Sequence, residues 1–173
     1  LVSKLTSPHA VTIHDYGETG GGLAYMVFEY VDGHTVSEEL DDAGAFGEER
    51  TIDLLLQALD ALGEAHERGV LHRDIKPANL MITERSGKEH LTVLDFGIAR
   101  EFEIEEDVGE ETLTREGRFV GTPKYVAPEC IFHGDIGPPA DIYSLGLVAW
   151  EMISEEPVVD ESGTEDALRA HAD

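Results

Sequence analysis

The sequence predicts an α+β domain in which short strands come first and helices follow, mainly helical after residue 35. Three observations carry the prediction. Two β-favouring runs stand near the start, at 10–13 and 24–31. A long stretch at 48–68 repeats apolar residues at spacings of three and four. Another, at 142–153, is apolar on nearly all sides. A chain of 173 residues suits one domain of ordinary size.

The elements follow in order. The runs at 10–13 and 24–31 are joined by a polar segment holding Gly17, Gly20, Gly21 and Gly22, which reads as a hairpin loop. No helix follows it and no Lys-Ser/Thr completes a P-loop, so a phosphate-binding role is disfavoured. Over 48–68, Ile52, Leu55, Leu56, Leu59 and Leu62 line one apolar stripe of a helix. Gly69 suits the left-handed residue that closes such a helix. Short strands are expected at 80–83 and 91–94, on either side of a turn at Arg85, Ser86, Gly87 and Lys88. The stretch 101–111 holds seven acids and no base, the mark of a solvated loop. The run at 142–153 is expected to be a helix buried in the core. There is no internal repeat.

Charge narrows the function. Thirty-seven acidic residues against 12 basic ones give a formal net charge of −25. Nucleic acid and anionic membrane surfaces are therefore excluded as partners, because both need a basic face. No apolar run approaches the ~18 to 20 residues of a membrane-spanning helix. The single cysteine, Cys130, has no internal disulfide partner and reads as packing, and the eight histidines show no zinc-like spacing. A cytoplasmic setting is expected for this segment, with room for a membrane anchor elsewhere in the full-length protein. The chain opens at Leu1 without a signal peptide and closes in a helix-like stretch, so both ends read as cuts through a larger domain.

The chemistry is concentrated in His72-Arg73-Asp74-Ile75-Lys76-Pro77-Ala78-Asn79 and in Asp95-Phe96-Gly97. Asp74 and Asp95 supply carboxylates, Asn79 an amide oxygen and Lys76 a cation. Oxygen donors of this kind suit Mg²⁺ beside substrate phosphates, and a lysine among them can neutralise a transferring phosphoryl group. A carboxylate not spent on metal can accept the proton of an attacking hydroxyl. Glycoside hydrolysis needs two carboxylates but has no use for the lysine or the amide. Taken singly, Asp74 is equally a local turn cap and Asp95 a turn acid before Gly97, while Arg73, beside an acid of this kind, is favoured as the receiver of a phosphate or carboxylate over a plain surface charge.

Four strings in order, namely the 72–79 loop, the 95–97 triplet, Gly-Thr-Pro-Lys-Tyr-Val-Ala-Pro-Glu at 121–129 and Asp-Ile-Tyr-Ser-Leu-Gly at 141–146, resemble the eukaryotic-type protein kinases in their bacterial serine/threonine branch. The resemblance implies a protein-kinase-like fold in which 1–31 is the remnant of the small lobe and hinge. Residues 32–173 would be the large lobe up to about the start of helix G. The glycine-rich loop, the strand lysine, the helix C glutamate and the last helices are expected to lie outside the chain. It implies Asp74 as base, Lys76 at the γ-phosphate, and Thr122 tying the activation segment to Asp74 and Lys76. Asn79 and Asp95 would hold Mg²⁺ or Mn²⁺. Glu29 and Val31 would meet the adenine of ATP along their backbone, with Phe28 as gatekeeper and Met81 beneath the base. Asp141 would pin the catalytic loop.

The same resemblance makes ATP and proteins bearing Ser or Thr the partners. It places Thr112 and Thr114 on the activation loop, where a phosphate would meet Arg73, and self-association would serve autophosphorylation. A pseudokinase-like binding scaffold and a non-functional gene fragment are the competing readings. His72 is expected to pack against Phe96, whereas His66, His90 and His133 read as surface residues without a role. The charge of −25 suggests a source adapted to salt.

Overall fold

The computed structural model describes residues 5–96, 123–131 and 136–159. The acidic run 101–111, Thr112, Thr114, Thr122 and His133 lie outside them.

Strands β1 (Ile13–Glu18) and β2 (Ala24–Phe28) pair antiparallel, from Ile13 opposite Phe28 to Glu18 opposite Ala24. The glycine cluster is the hairpin loop: Thr19 N donates to the Leu23 carbonyl at 2.8 Å, and Gly22 takes a φ of 81°. The first strand begins later than the sequence suggests, because Ala10 and Val11 are used elsewhere. Val11 N donates to Val93 O at 3.0 Å and Val93 N to His9 O at 2.8 Å, a parallel bridge that buries both residues. Thr6 and Ser7, just upstream, are tied to Glu64 on the long helix.

A short strand, β3 (His34–Thr35), runs into α1 (Val36–Ala43), an element the apolar pattern did not reveal. Its signal was local. Thr35 caps the Glu38 amide while the Glu38 carboxylate accepts from the Thr35 amide, a reciprocal capping box. Gly33 precedes it at a point where a Cβ would drive into the Ile82 carbonyl.

Helix α2 (Glu48–Glu67) is where expected, but only part of the leucine stripe is buried, with Leu62 in the core and Leu55 packed against it. Thr51, Leu54, Ala58, Ala61, Leu62 and Ala65 face inward, while Ile52, Leu56 and Leu59 are 56%, 59% and 39% exposed. Small residues on the inward face let the strand Lys88–Val93 and the last helix approach closely, and that packing decided which stripe was covered. The Arg50 guanidinium is shared by Glu39 and Glu89 and lies over the Phe46 ring, tying α1, α2 and the second sheet together.

The second sheet has the order β3-β4-β5, with β4 (Leu80–Arg85) and β5 (Lys88–Val93) joined by a two-residue turn. Ser86 and Gly87 both have positive φ, 55° and 75°, the backbone that a tight hairpin twist favours. Leu80, Ile82, Leu91 and Val93 enter the core beneath α2.

Two short helical pieces follow, a 3₁₀ turn at Pro123–Tyr125 and α3 (Pro128–Ile131), before α4 (Pro138–Ser154). Tyr125 donates to Glu151 Oε2 at 2.6 Å, Lys124 to Oε1 at 3.0 Å, and Ser144 to the Tyr125 carbonyl at 2.7 Å. These bonds satisfy the buried Glu151 and seat 123–125 on α4. The helix is not buried all round as the sequence suggested. Leu145, Val148 and Met152 are in the core, but the described residues leave Ile142, Trp150 and Ile153 largely exposed.

Candidate active site

The candidate residues lie on the irregular crossing from α2 to β4 and at the end of β5. After Gly69 closes α2 at a φ of 74°, the chain runs without regular structure to the 3₁₀ turn Pro77–Asn79. That turn folds Asn79 back on Asp74. Asn79 Nδ2 donates to the Asp74 carbonyl at 2.7 Å and to Asp74 Oδ2 at 3.1 Å. Lys76 Nζ reaches the same oxygen at 2.6 Å. Oδ2 is thus held by two side chains at once.

His72 joins this loop to β5. Its Nδ1 accepts from the Asp74 amide at 3.2 Å, so its Nε2 carries the proton and donates to the Leu94 carbonyl at 2.7 Å. Burial pushes its pKa below the ordinary value and keeps the ring neutral, as this tautomer requires. The ring lies 5.0 Å from that of Phe96, both fully buried. Leu94 N in turn donates to the Asn79 carbonyl at 2.9 Å. The backbone just before Asp95 is therefore fixed at two points to the Asp74 loop. Asp95 itself is exposed and takes a φ of 49°, a left-handed backbone uncommon outside glycine.

The structure thus brings Asp74, Lys76 and Asn79 into contact and ties the residue before Asp95 to the same loop. The donor set fits a magnesium or manganese ion. Asn79 spends its amide nitrogen on Asp74 and keeps its oxygen, and Asp95 adds a carboxylate, both hard donors. Among the described residues no group of three His, Cys, Asp or Glu gathers to cage a metal.

Arg73 also has a left-handed backbone, at a φ of 65°, with an exposed side chain. Its amide donates to Asp141 Oδ1 at 2.8 Å, and the His72 amide to Oδ2 at 2.9 Å. Asp141, on the first turn of α4, is 1% exposed. Its third partner is His66 of α2, whose Nε2 lies 2.8 Å from Oδ2. The reading of His66 as a surface residue is therefore wrong: its side chain is only 13% exposed. A signal existed in its position four residues after Leu62 and directly after Ala65, both fully buried. His90 is half-buried; it donates to the Pro8 carbonyl at 2.9 Å, and its ring lies 4.5 Å from that of His9.

Glu29 and Val31 follow β2, away from these bonds. The Glu29 amide donates to the Thr12 carbonyl and its carboxylate accepts from the Thr12 amide, both at 2.8 Å. Met81 sits on β4 two residues beyond Asn79, opposite Thr35 and Thr92.

An acid held by a lysine and an asparagine on one loop, with a second acid just past a neighbouring strand, agrees with the protein-kinase-like fold that the sequence motifs resemble. The chain belongs to the protein kinase domain family, which matches residues 1–173. It is 37% identical over 152 residues to the probable serine/threonine-protein kinase pknA2 of Bifidobacterium longum, covering 88% of this chain and 19% of that protein. It is 36% identical over 158 residues to the serine/threonine-protein kinase PknB of Mycolicibacterium smegmatis, covering 90% and 24%. The crystal structure of the Mycobacterium tuberculosis PknI kinase domain superposes with a TM-score of 0.71 at 29% identity, over 94% of this chain and 56% of that one. The chain thus spans a fifth to a quarter of these two relatives and about half of the solved kinase domain. Among the described residues no helix is long and apolar enough to cross a membrane.

Proposed function

We propose that the protein containing this chain transfers the γ-phosphate of ATP to Ser or Thr hydroxyls of proteins, with Asp74 as base. The observation that carries this reading is the fixing of Asp74 Oδ2 by Lys76 and Asn79, which leaves Oδ1 to receive a proton. As the hydroxyl oxygen bonds to the γ-phosphorus and the bond to ADP breaks, Asp74 takes the hydroxyl proton and Lys76 balances charge on the phosphoryl oxygens. A divalent cation held by Asn79 and Asp95 would supply further neutralisation of the phosphates. Glu29 and Val31 meet the adenine through their backbone, with Met81 on its other side. Thr122 links the activation segment to Asp74 and Lys76.

In this reading 1–31 closes the small lobe and 32–173 forms most of the large lobe. The chain alone holds no glycine-rich loop or strand lysine for the α- and β-phosphates, so residues 1–173 by themselves transfer negligible phosphate. Arg73, exposed beside the base, receives a phosphate on Thr112 or Thr114 and orders the loop. Changing both threonines to Ala in the whole protein removes most activity if that is so.

The direct test is Asp74→Asn in the whole protein. Turnover falls by about 100-fold or more if Asp74 is the base. Turnover like the wild type overturns the assignment, and a wild-type protein that binds nucleotide without transferring phosphate makes it a binding scaffold.

A further inference from the structure

The turn between β4 and β5 breaks two rules of a stable hairpin at once. Arg85 and Lys88 stand directly opposite each other in its closing pair. Like charges so placed, with Cβ atoms about 5 Å apart, repel. Between them Ser86 holds a φ of 55°, a left-handed backbone for which asparagine, aspartate or glycine is the ordinary choice at the first position of such a turn. Arg50, Arg68, Lys76 and Lys124 are each paired with a carboxylate, whereas Arg85 and Lys88 enter no ion pair among the described residues. That is a departure in a chain with 37 acids. The neighbouring acids give no relief. Alternation along the strands sends Glu84 and Glu89, themselves an opposed pair, to the other face, and Glu89 is taken by Arg50. Residues 84–89 are all exposed, and a Cβ on Gly87 would meet nothing within 4 Å, so the space around the turn is open.

We infer that Ser86 is a phosphorylation site whose phosphate is held between Arg85 and Lys88. One group answers both irregularities of the turn. A phosphate on Ser86 brings about −1.5 to −2 charges and three acceptor oxygens to a point between a guanidinium and an ammonium. Repulsion across the closing pair then becomes attraction through the bridging anion. Serine, unlike the residues that the turn geometry prefers, has the hydroxyl to carry it. The source of the phosphate rests on the reading of the protein as a Ser/Thr kinase. Ser86 Oγ bonds to the γ-phosphorus of ATP, the bond to ADP breaks, and the hydroxyl proton passes to Asp74. The length of β4 (Leu80–Arg85), six residues or about 20 Å of extended strand, separates Ser86 from the Asp74 loop of its own chain. The Asp74 that serves it therefore belongs to a second copy.

The test has two arms, both on the whole protein. In the first, isotope-labelled Asp74→Asn serves as acceptor, is incubated with unlabelled wild type and Mg-ATP, and its phosphosites are mapped by mass spectrometry. Phosphate is expected on Ser86 of the labelled acceptor, and adding Ser86→Ala to that acceptor removes this phosphopeptide. A wild type that phosphorylates a generic Ser/Thr protein but leaves Ser86 bare overturns the inference. In the second arm, phosphoserine is incorporated at position 86 during synthesis, and phosphorus NMR follows its titration. The phosphate is expected to titrate about half a pH unit or more below its ordinary value of about 6, because two cations favour the dianion. Arg85→Gln combined with Lys88→Gln returns it toward that value. An unshifted phosphate, or a shift that survives in the double variant, overturns the inference. A wild type that phosphorylates nothing removes the kinase reading, and the titration of the incorporated phosphate then decides the Ser86 site by itself.

Discussion

Asn79 donates from one amide nitrogen to both the carbonyl and the carboxylate of Asp74, at 2.7 and 3.1 Å. One side chain thus fixes the backbone and the acid group of the same residue, while its own oxygen stays available as a ligand. Two functions therefore reside in Asn79, and they can be separated.

Asn79→Ala removes both functions. It leaves the Asp74 carbonyl unpaired at a partly buried site, so stability falls by about 1–3 kcal/mol, read from urea unfolding of the chain. Asn79→Asp keeps an oxygen donor but replaces the nitrogen that bonds to Asp74 with a second like charge. It is expected to destabilise the loop at neutral pH and to recover stability on acidification, whereas Asn79→Ala shows no such recovery.

Glu64 offers a pH prediction. The Thr6 hydroxyl, the Thr6 and Ser7 amides and the Arg68 guanidinium all donate to it and hold its pKa down to about 2, from an ordinary 4.5. A depressed acid adds stability that is complete above its unfolded pKa and is lost as pH falls through the folded value. The melting temperature of the wild type therefore declines between pH 4.5 and about 2 more steeply than that of Glu64→Gln, which lacks this proton uptake. Parallel acid profiles of the two proteins count against the clamp.

His72 titrates in the opposite chemical sense with the same sign of effect. Burial lowers its pKa below 6.5, so the unfolded chain binds a proton that the folded chain refuses. Its contribution is intact above pH 6.5 and is lost as pH falls toward the folded value. NMR of the ring should show His72 in one neutral tautomer at pH 7, protonated on Nε2. A protonated His72 ring at that pH contradicts the bond to Leu94.

A formal charge of −25 on a chain this size repels itself, and salt screens that repulsion. The Debye length shrinks from ~10 Å at 0.1 M to ~3 Å at 1 M. The melting temperature should rise with KCl across that range. A melt indifferent to KCl removes the case for a salt-adapted source.

The sequence by itself determined the family, the α+β class and the cluster around Asp74. Those features are local: Asp74, Lys76 and Asn79 fall within six residues, and the turn that folds them together is written in Pro77 and Asn79. The hairpin at Ser86-Gly87 and the end of α2 at Gly69 were legible for the same reason, since a backbone at positive φ names its own residues. Only the tertiary structure decided which stripe of α2 is buried. Periodicity reports that a helix has apolar faces, but Thr51, Ala58, Ala61 and Ala65 won over Ile52, Leu56 and Leu59 because small side chains allow the closest approach of β5 and α4. Only the tertiary structure, likewise, took Ala10 and Val11 out of the hairpin and placed them against Val93. His66 is the clearest case. Its partner is Asp141, and a hydrogen bond between two helices leaves no trace in the spacing of either one.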